Sequence, residues 1–268
     1  MIKVAVTGAA GRMGSGIIRK ITEQDDMEVV AAIEMPNTPL AGVDAGEKAG
    51  IGNIGVPIVG SEDLEKALKE SGAEVLVDFT IAPAAVETIK TATACGVNVV
   101  VGTTGFTEEQ MASNIKNVED NNVGAVISSN MAIGVNVFFN TLKKLAPLLY
   151  DFDIEIIEKH HNQKIDAPSG TALALADAIS EVMDSAPEYV YDRHSVRKKR
   201  TKNEIGIHAV RGGTITGEHQ VIFAGHDEII TVSHSARSKE LFATGAVNAA
   251  GFICGKKAGL YNMSDMLR

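Results

Sequence analysis

A chain of 268 residues that is 45% apolar is long enough for one large domain or two modest ones, and its composition argues against disorder. A formal net charge of −9 and the absence of Trp argue against general nucleic-acid binding and against aromatic platforms for single strands. The only two cysteines, Cys95 and Cys254, have neither metal-ligand spacing nor a disulfide framework. No apolar run reaches membrane-spanning length, and the N-terminus enters a strand pattern directly, without a signal-peptide layout. The expectation is a cytoplasmic soluble protein with no metal, membrane or nucleic-acid partner.

The first half alternates strand and helix patterns. IKVAVT (2–7) is a β-branched run, and the stretch after it sets Met13, Ile17, Ile18 and Ile21 on one helical face. A second strand covers 27–34, and the glycine-rich connection 35–57 reads as a long loop. Residues 61–72 read as a helix with Ser61 as N-cap and Gly72 just past its end. Strands at 74–80, 97–102 and 123–129 are separated by a helix opened by Pro83 and a helix with a Thr107–Gln110 capping box. Strands that are apolar throughout and alternate with helices predict an α/β fold, a Rossmann-like doubly wound parallel sheet.

After residue 130 the pattern changes. A long helix ended by Pro147 is followed by extended segments at 152–159, 204–211, 214–224 and 227–234, with one strong helix at 171–183. The paired Gly212 and Gly213 signal a hairpin between two of those strands. This predicts a second, α+β domain with an open mixed sheet at 130–239. The dinucleotide-type domain then covers 1–129, completed by a helical return over 240–268.

VAVTGAAGRMGSG places Gly8, Gly11 and Gly14 three apart between the first strand and the first helix. Glycines there permit a tight turn and close approach of a pyrophosphate, and the helix start adds N–H groups and a positive dipole end. Glu34 stands at the end of the second strand, where a carboxylate accepts from a ribose hydroxyl and repels a 2′-phosphate. That favours NADH over NADPH, although Arg12 is able to neutralise phosphate in either cofactor. The bland readings are a turn without ligand and a surface acid. Gly102, Thr103 and Thr104 follow another strand at its carboxyl end, the side on which such sheets bind ligands.

Hydride addition leaves charge that needs a proton donor or a fixed cation, and EIIEKHHNQKIDAPSGTALALADAI offers both. His160 and His161 supply imidazoles and Lys164 a compact positive charge. Ser169 caps the following helix, and the N–H groups of Gly170 and Thr171 suit a carboxylate, so an acidic small-molecule substrate is expected. The competing reading is one packed and one solvated histidine, a surface lysine and an ordinary cap. His219, His226 and His234 look structural, Arg237 is a candidate partner for a carboxylate, and the basic run 193–202 is either a solvated loop or an attractor of anions.

These motifs resemble the 4-hydroxy-tetrahydrodipicolinate reductase (dihydrodipicolinate reductase) family over nearly the whole length. VAVTGAAGRMG, GTTGF, EIIEKHHNQKIDAPSGTA, IGIHAVRGGTITGEHQVIFAG and FATGAV occur in the family's order, and HHNQKIDAPSGTA is the most specific. The resemblance implies reduction of an unsaturated cyclic dicarboxylate with NADH or NADPH, in the diaminopimelate route to lysine. It implies His160 as proton donor, Lys164 as stabiliser of developing charge, His161 as a substrate contact, and Gly170 and Thr171 as holders of one carboxylate. Cofactor contacts would come from Gly8, Ala9, Ala10, Gly11, Arg12 and Met13, from Glu34, from Gly102 to Thr104, and from Ser128, Ser129, Asn130 and Met131. A homotetramer built through the second domain's sheet is also implied. One departure stands out: Met35 occupies the position where many members carry an arginine, which removes a partner for a 2′-phosphate. The alternatives are another two-domain dehydrogenase acting on an amino-acid semialdehyde or hydroxy acid, and a dinucleotide sensor with no use for a proton donor.

Overall fold

The computed structural model describes residues 1–267. Arg268, the last residue of the expected C-terminal return, lies outside them. The chain forms two compact units: one is Met1–Ile133 joined by the residues from Glu240 onward, the other Gly134–Lys239.

The first unit contains β1 (Ile2–Thr7), α1 (Arg12–Thr22), β2 (Met27–Glu34), α2 (Ala45–Ala49), β3 (Ile58–Gly60), α3 (Leu64–Ser71), β4 (Val75–Asp78), α4 (Ala82–Ala94), β5 (Asn98–Val101), α5 (Glu108–Asp120) and β6 (Gly124–Ile127). Together with β12 (Gly259–Tyr261) its strands number seven and, in the order β12-β6-β5-β4-β1-β2-β3, pair in parallel throughout. The chain returns to it at the end with α8 (Glu240–Cys254), β12 (Gly259–Tyr261) and α9 (Met263–Met266). Strands without a polar face are dictated by this arrangement, because each must bury both sides. In β1, Val4 and Val6 join the core under α1 and α8, while Ala5 joins the core under α3, α4 and α5; Val77 and Leu76 of β4 divide in the same way. Each fully buried valine or leucine contributes about 1.5–3 kcal/mol relative to exposure.

The stretch expected as a long loop carries two short elements. Asp44 caps α2, accepting from the Gly46 and Glu47 N–H groups, and β3 forms one edge of the sheet. Elements of five and three residues are too short to display a period.

The second unit has α6 (Ile133–Leu145), β7 (Asp153–His160), α7 (Gly170–Ser180), β8 (Glu188–Val190), β9 (Glu204–Arg211), β10 (Glu218–Ala224) and β11 (Ile229–Ser235). Its five-stranded sheet, in the order β11-β10-β7-β9-β8, is mixed: β7–β9 and β8–β9 are parallel, and β7–β10 and β10–β11 antiparallel. Ile154, Ile156, Ile205, Ile207, Val221 and Phe223 face α6 and α7 and pack on Phe138, Leu142, Leu175 and Ile179. The hairpin expected at Gly212–Gly213 is not formed. β7 lies between β9 and β10, so those two strands never pair, and β10 starts only at Glu218. The antiparallel pair joined by a tight connection is β10 with β11.

Candidate active site

In the first unit Gly8 ends β1 with φ +62°, and the Gly11 N–H closes the turn on the Gly8 carbonyl at 2.9 Å. Gly11 is the N-cap of α1 and supplies no side-chain cap, so the first-turn amides point at the loop with the positive end of the helix dipole behind them. Glu34, at the end of β2, accepts from the Ala10 N–H at 2.9 Å and from the Met35 N–H at 3.1 Å. A cavity of about 530 Å³ opens here, lined by Gly8, Gly11, Arg12, Met13 and Glu34. Ile33, Phe79 and Ile81 give it an apolar wall. Anion-binding amides, an arginine, a ribose-type acid and an apolar wall together fit a dinucleotide.

The other expected cofactor residues are distributed differently. Ala9 is buried and donates its N–H to the Ile33 carbonyl. Gly102 to Thr104 and Ser128 to Met131 follow the carboxyl ends of β5 and β6, outside the lining of this cavity. The Thr103 hydroxyl is turned inward onto Asp78 at 2.6 Å, and the Met131 side chain is part of the core. Ser128 donates its hydroxyl to the Asn130 carbonyl. Sequence reasoning missed Asp78. It is fully buried and also accepts from the hydroxyls of Thr7 at 2.7 Å and Thr80 at 2.9 Å, tying three strand ends together. The only trace of it in the sequence is an acid closing an otherwise apolar strand.

In the second unit strand register builds a polar cluster on the sheet face that is elsewhere core. Core-facing positions along β7 run Ile154, Ile156, Glu158, His160; His160 sits opposite Arg211 of β9, and Glu158 opposite His219 of β10. The Glu158 side chain is fully buried, and His160 Nδ1 meets its Oε2 at 2.6 Å. Arg211 grips both Glu158 oxygens, at 2.8 and 2.7 Å, and the Ser169 N–H donates to Oε1 at 3.0 Å. Burial alone raises the Glu158 pKa, but the bonds from Arg211, His160 and the Ser169 N–H outweigh it and hold the group below the usual carboxylate range.

Ser169 caps α7, accepting from the Ala172 N–H at 3.2 Å, and its hydroxyl meets His219 Nε2 at 2.9 Å. The rings of His160 and His219 stand edge to face at 5.2 Å. His219, read from the sequence as merely structural, is therefore part of the cluster. Lys164 pairs with Asp166 at 2.8 Å, and Gly170 is exposed at the start of α7 beside Thr171. His161 follows β7 directly and accepts the Lys164 N–H on its carbonyl at 3.2 Å. The arginine on the buried Glu158 carboxylate is Arg211, which the sequence did not single out, and Arg237 is exposed. Nor is the basic run simply a solvated loop: Arg193 and Arg200 bind Glu155, Arg193 also binds Glu204, and Lys202 binds Asp151. Among the described residues no group of three or more His, Cys, Asp or Glu side chains is placed to hold a metal ion.

Residues 2–131 match the family described as dihydrodipicolinate reductase, N-terminus, and residues 134–267 match dihydrodipicolinate reductase, C-terminus. The chain belongs to the dihydrodipicolinate reductase family. A curated relative named 4-hydroxy-tetrahydrodipicolinate reductase from Methanobrevibacter smithii is 67% identical, covering 100% of this chain and 99% of its own. One of the same name from Methanocaldococcus jannaschii is 56% identical, covering 100% and 97%. A dipicolinate-bound dihydrodipicolinate reductase from Paenisporosarcina sp. TG-14 superposes with a TM-score of 0.78 at 27% identity, covering 98% of this chain and 97% of its own.

In this dihydrodipicolinate reductase family member the cluster has a measurable acid dependence. Burial, reinforced by the neighbouring His160, pushes His219 from its ordinary 6.5 down to about 4. At pH 8 the ring is neutral in both folded and unfolded chains. As pH falls below 6.5 the unfolded chain takes up a proton that the folded one refuses, so stability drops until the folded pKa near 4 is passed. The loss expected from this group is about 3 kcal/mol, since one unit corresponds to about 1.4 kcal/mol. His234, also lowered by burial, adds to it in the same direction. Depressed carboxylates such as Glu204, held at about 2, act only lower, below the ordinary 4.5. Urea titrations should therefore show a midpoint falling between pH 7 and 5, and His219→Gln should flatten that decline; an unchanged slope would rule out a buried neutral His219.

Proposed function

We propose that this protein catalyses the NAD(P)H-dependent reduction of 4-hydroxy-tetrahydrodipicolinate to tetrahydrodipicolinate, a step of the diaminopimelate route to lysine. The observation that carries the reading is the family match running through both units, residues 2–131 and 134–267. A solved relative that is dipicolinate-bound supports a ring dicarboxylate as the substrate class.

In this reading the first unit is the dinucleotide-binding domain and the second the substrate-binding domain. Gly8 to Met13 hold the pyrophosphate through backbone amides, with Ala9 and Ala10 acting through the backbone alone. Glu34 accepts from the adenine ribose, and Gly102, Thr103, Thr104 and Ser128, Ser129, Asn130, Met131 border the nicotinamide end. When bound, the reduced nicotinamide supplies the hydride. In the second unit Gly170 and Thr171 take one substrate carboxylate at the positive start of α7. His161 contacts the ring, Lys164 balances the negative charge that hydride addition leaves, and His160 delivers the proton through Nε2. The protein works in the cytoplasm as a homotetramer assembled through the second unit's sheet; no helix among the described residues is long and apolar enough to cross a membrane.

The test is oxidation of NADH or NADPH with 4-hydroxy-tetrahydrodipicolinate generated in situ by its synthase. Absence of oxidation with both cofactors, alongside tight dinucleotide binding, would favour a sensor instead. Cofactor preference falls to NADH. Met35 is 63% exposed where a 2′-phosphate would need a cation, and Glu34 already draws the loop amide of Ala10. Glu34→Ala should weaken NADH about tenfold, the loss of about 1.4 kcal/mol expected for hydrogen bonds to a charged acceptor, and leave NADPH nearly unchanged. Equal losses in fluorescence titrations would take Glu34 off the ribose.

A further inference from the structure

We infer that Glu158, locked by Arg211, is a positioning residue that sets the geometry of the whole substrate site from a single buried carboxylate. This deepens the reading of His160 as proton donor and rests on it.

Four hydrogen bonds converge on Glu158. Oε2 takes the His160 Nδ1 at 2.6 Å and Arg211 Nη1 at 2.8 Å; Oε1 takes Arg211 Nη2 at 2.7 Å and the Ser169 N–H at 3.0 Å. These bonds lead to three different parts of the site. The first fixes the imidazole: an Nδ1–H donated to a carboxylate leaves Nε2 as the atom that exchanges a proton with substrate. The Ser169 bond pins the N-cap of α7, whose first turn offers the carboxylate site. The Arg211 bonds reach the lysine, because Arg211 Nη2 also donates to the Asp166 carbonyl at 2.6 Å and the Asp166 carboxylate holds Lys164 at 2.8 Å. Proton donor, anion site and cation are thus separate stretches of chain sharing one anchor.

The anchor is also electrically closed. Arg211 balances the Glu158 charge, so the carboxylate is free to orient His160 without being an isolated buried anion. His219 completes the ring of contacts by bonding the Ser169 hydroxyl at 2.9 Å and packing edge-on to His160. Gly217 keeps the working side of the imidazole open: a Cβ there would come within 3.1 Å of His160 Nε2. A carboxylate serving only to satisfy Arg211 would have no need of the His160 ring or of the α7 start.

The experiment compares the unaltered protein with Glu158→Gln. In the unaltered protein, nitrogen-15 spectra should assign the proton of neutral His160 to Nδ1; a proton on Nε2 would overturn the inference without any variant. In Glu158→Gln, kcat should fall about 10- to 100-fold, the range for loss of an orienting partner, and the neutral tautomer should move toward Nε2–H. NADH affinity, read from cofactor fluorescence, should stay within about twofold, because the change lies in the other unit. Unchanged kcat overturns the inference, and so does a fall in kcat with the tautomer unmoved or with NADH binding lost in proportion. Gly217→Ala leaves Glu158 untouched and should lower kcat by crowding Nε2. If His160→Ala retains turnover, the proton-donor reading fails; if His160→Ala is inactive while Glu158→Gln is normal, only the positioning role fails.

Discussion

His160→Ala is expected to lower turnover at least about a hundredfold, the scale of a lost general acid, while NADH affinity stays within about twofold. The split follows from where the residue sits. His160 ends β7 in the second unit, whereas the glycine loop, Arg12 and Glu34 that line the proposed dinucleotide cavity all belong to the first. Removing the ring deletes the group bonded to Glu158 at 2.6 Å and leaves that carboxylate still held by Arg211 and Ser169, so the sheet face does not acquire an unpaired buried charge. If His160 delivers the proton and Gly170, Thr171 and Lys164 bind the substrate as proposed, substrate KM should change less than kcat, since proton delivery is needed only in the transition state. Steady-state oxidation of NADH with enzymatically generated substrate measures both. Wild-type turnover in this variant would transfer the role to another donor, with Lys164 the first to examine.

Much of the first unit was readable because its constraints are local. A strand covered on both faces must be apolar along its middle, so β1, β4 and β5 announce themselves. A strand-to-helix turn whose backbone packs this closely must lack side chains, so Gly8, Gly11 and Gly14 do too. The capping box at Thr107 and Gln110 formed as the spacing predicted. What escaped depends on pairing between distant strands. Arg211 and Glu158 are 53 residues apart in the chain and meet only because β9 lies beside β7 in one particular register. The same insertion of β7 removed the hairpin that the two glycines suggested, since a period of two says which face a residue takes but not which strand it meets.

A usable hint was nonetheless present in DIEIIEKH. Ile154 and Ile156 occupy the core side of β7, so the next residues on that side, Glu158 and His160, are polar groups directed into an apolar layer. An acid two residues before a candidate proton donor on the same strand face is a stronger signal than the adjacent histidine pair, whose second member lies past the end of β7. The basic run, read as a solvated loop or an attractor of anions, is exposed over 193–199, but part of its charge is paired within the fold. Arg193 and Arg200 are taken up by Glu155, Glu204 and Asp153 on neighbouring strands. Composition records the charges but not which opposite charges the fold brings against them.

Gly14→Ala should abolish tight dinucleotide binding and destabilise the first unit, and the reason is a contest between two magnitudes. Gly14 lies in the first turn of α1, where alanine is intrinsically favoured over glycine by about 1 kcal/mol. Against that, a methyl at this position would overlap the Gly8 carbonyl oxygen and lie 2.7 Å from the Gly8 carbonyl carbon and 2.8 Å from Ala9 Cα. These are backbone atoms, unable to rotate aside, so relief requires the helix to back away from the loop. Overpacking of this kind costs about 1–3 kcal/mol even where side chains are able to yield, which outweighs the propensity gain. The displacement also opens the turn closed by the Gly11-to-Gly8 bond and pulls the Ala10 N–H from Glu34, the two contacts that shape the cradle. An NADH dissociation constant raised at least about tenfold is the expected reading, that is about 1.4 kcal/mol or more. Gly16→Ala is the internal control: it lies on the same helix, but its methyl would meet the Ala243 Cβ at an ordinary 3.7 Å. There the propensity term stands alone, and the melting temperature should rise with cofactor binding unchanged. Should Gly14→Ala behave like Gly16→Ala in both melting and NADH titration, close contact between α1 and the loop would not be what builds the dinucleotide site.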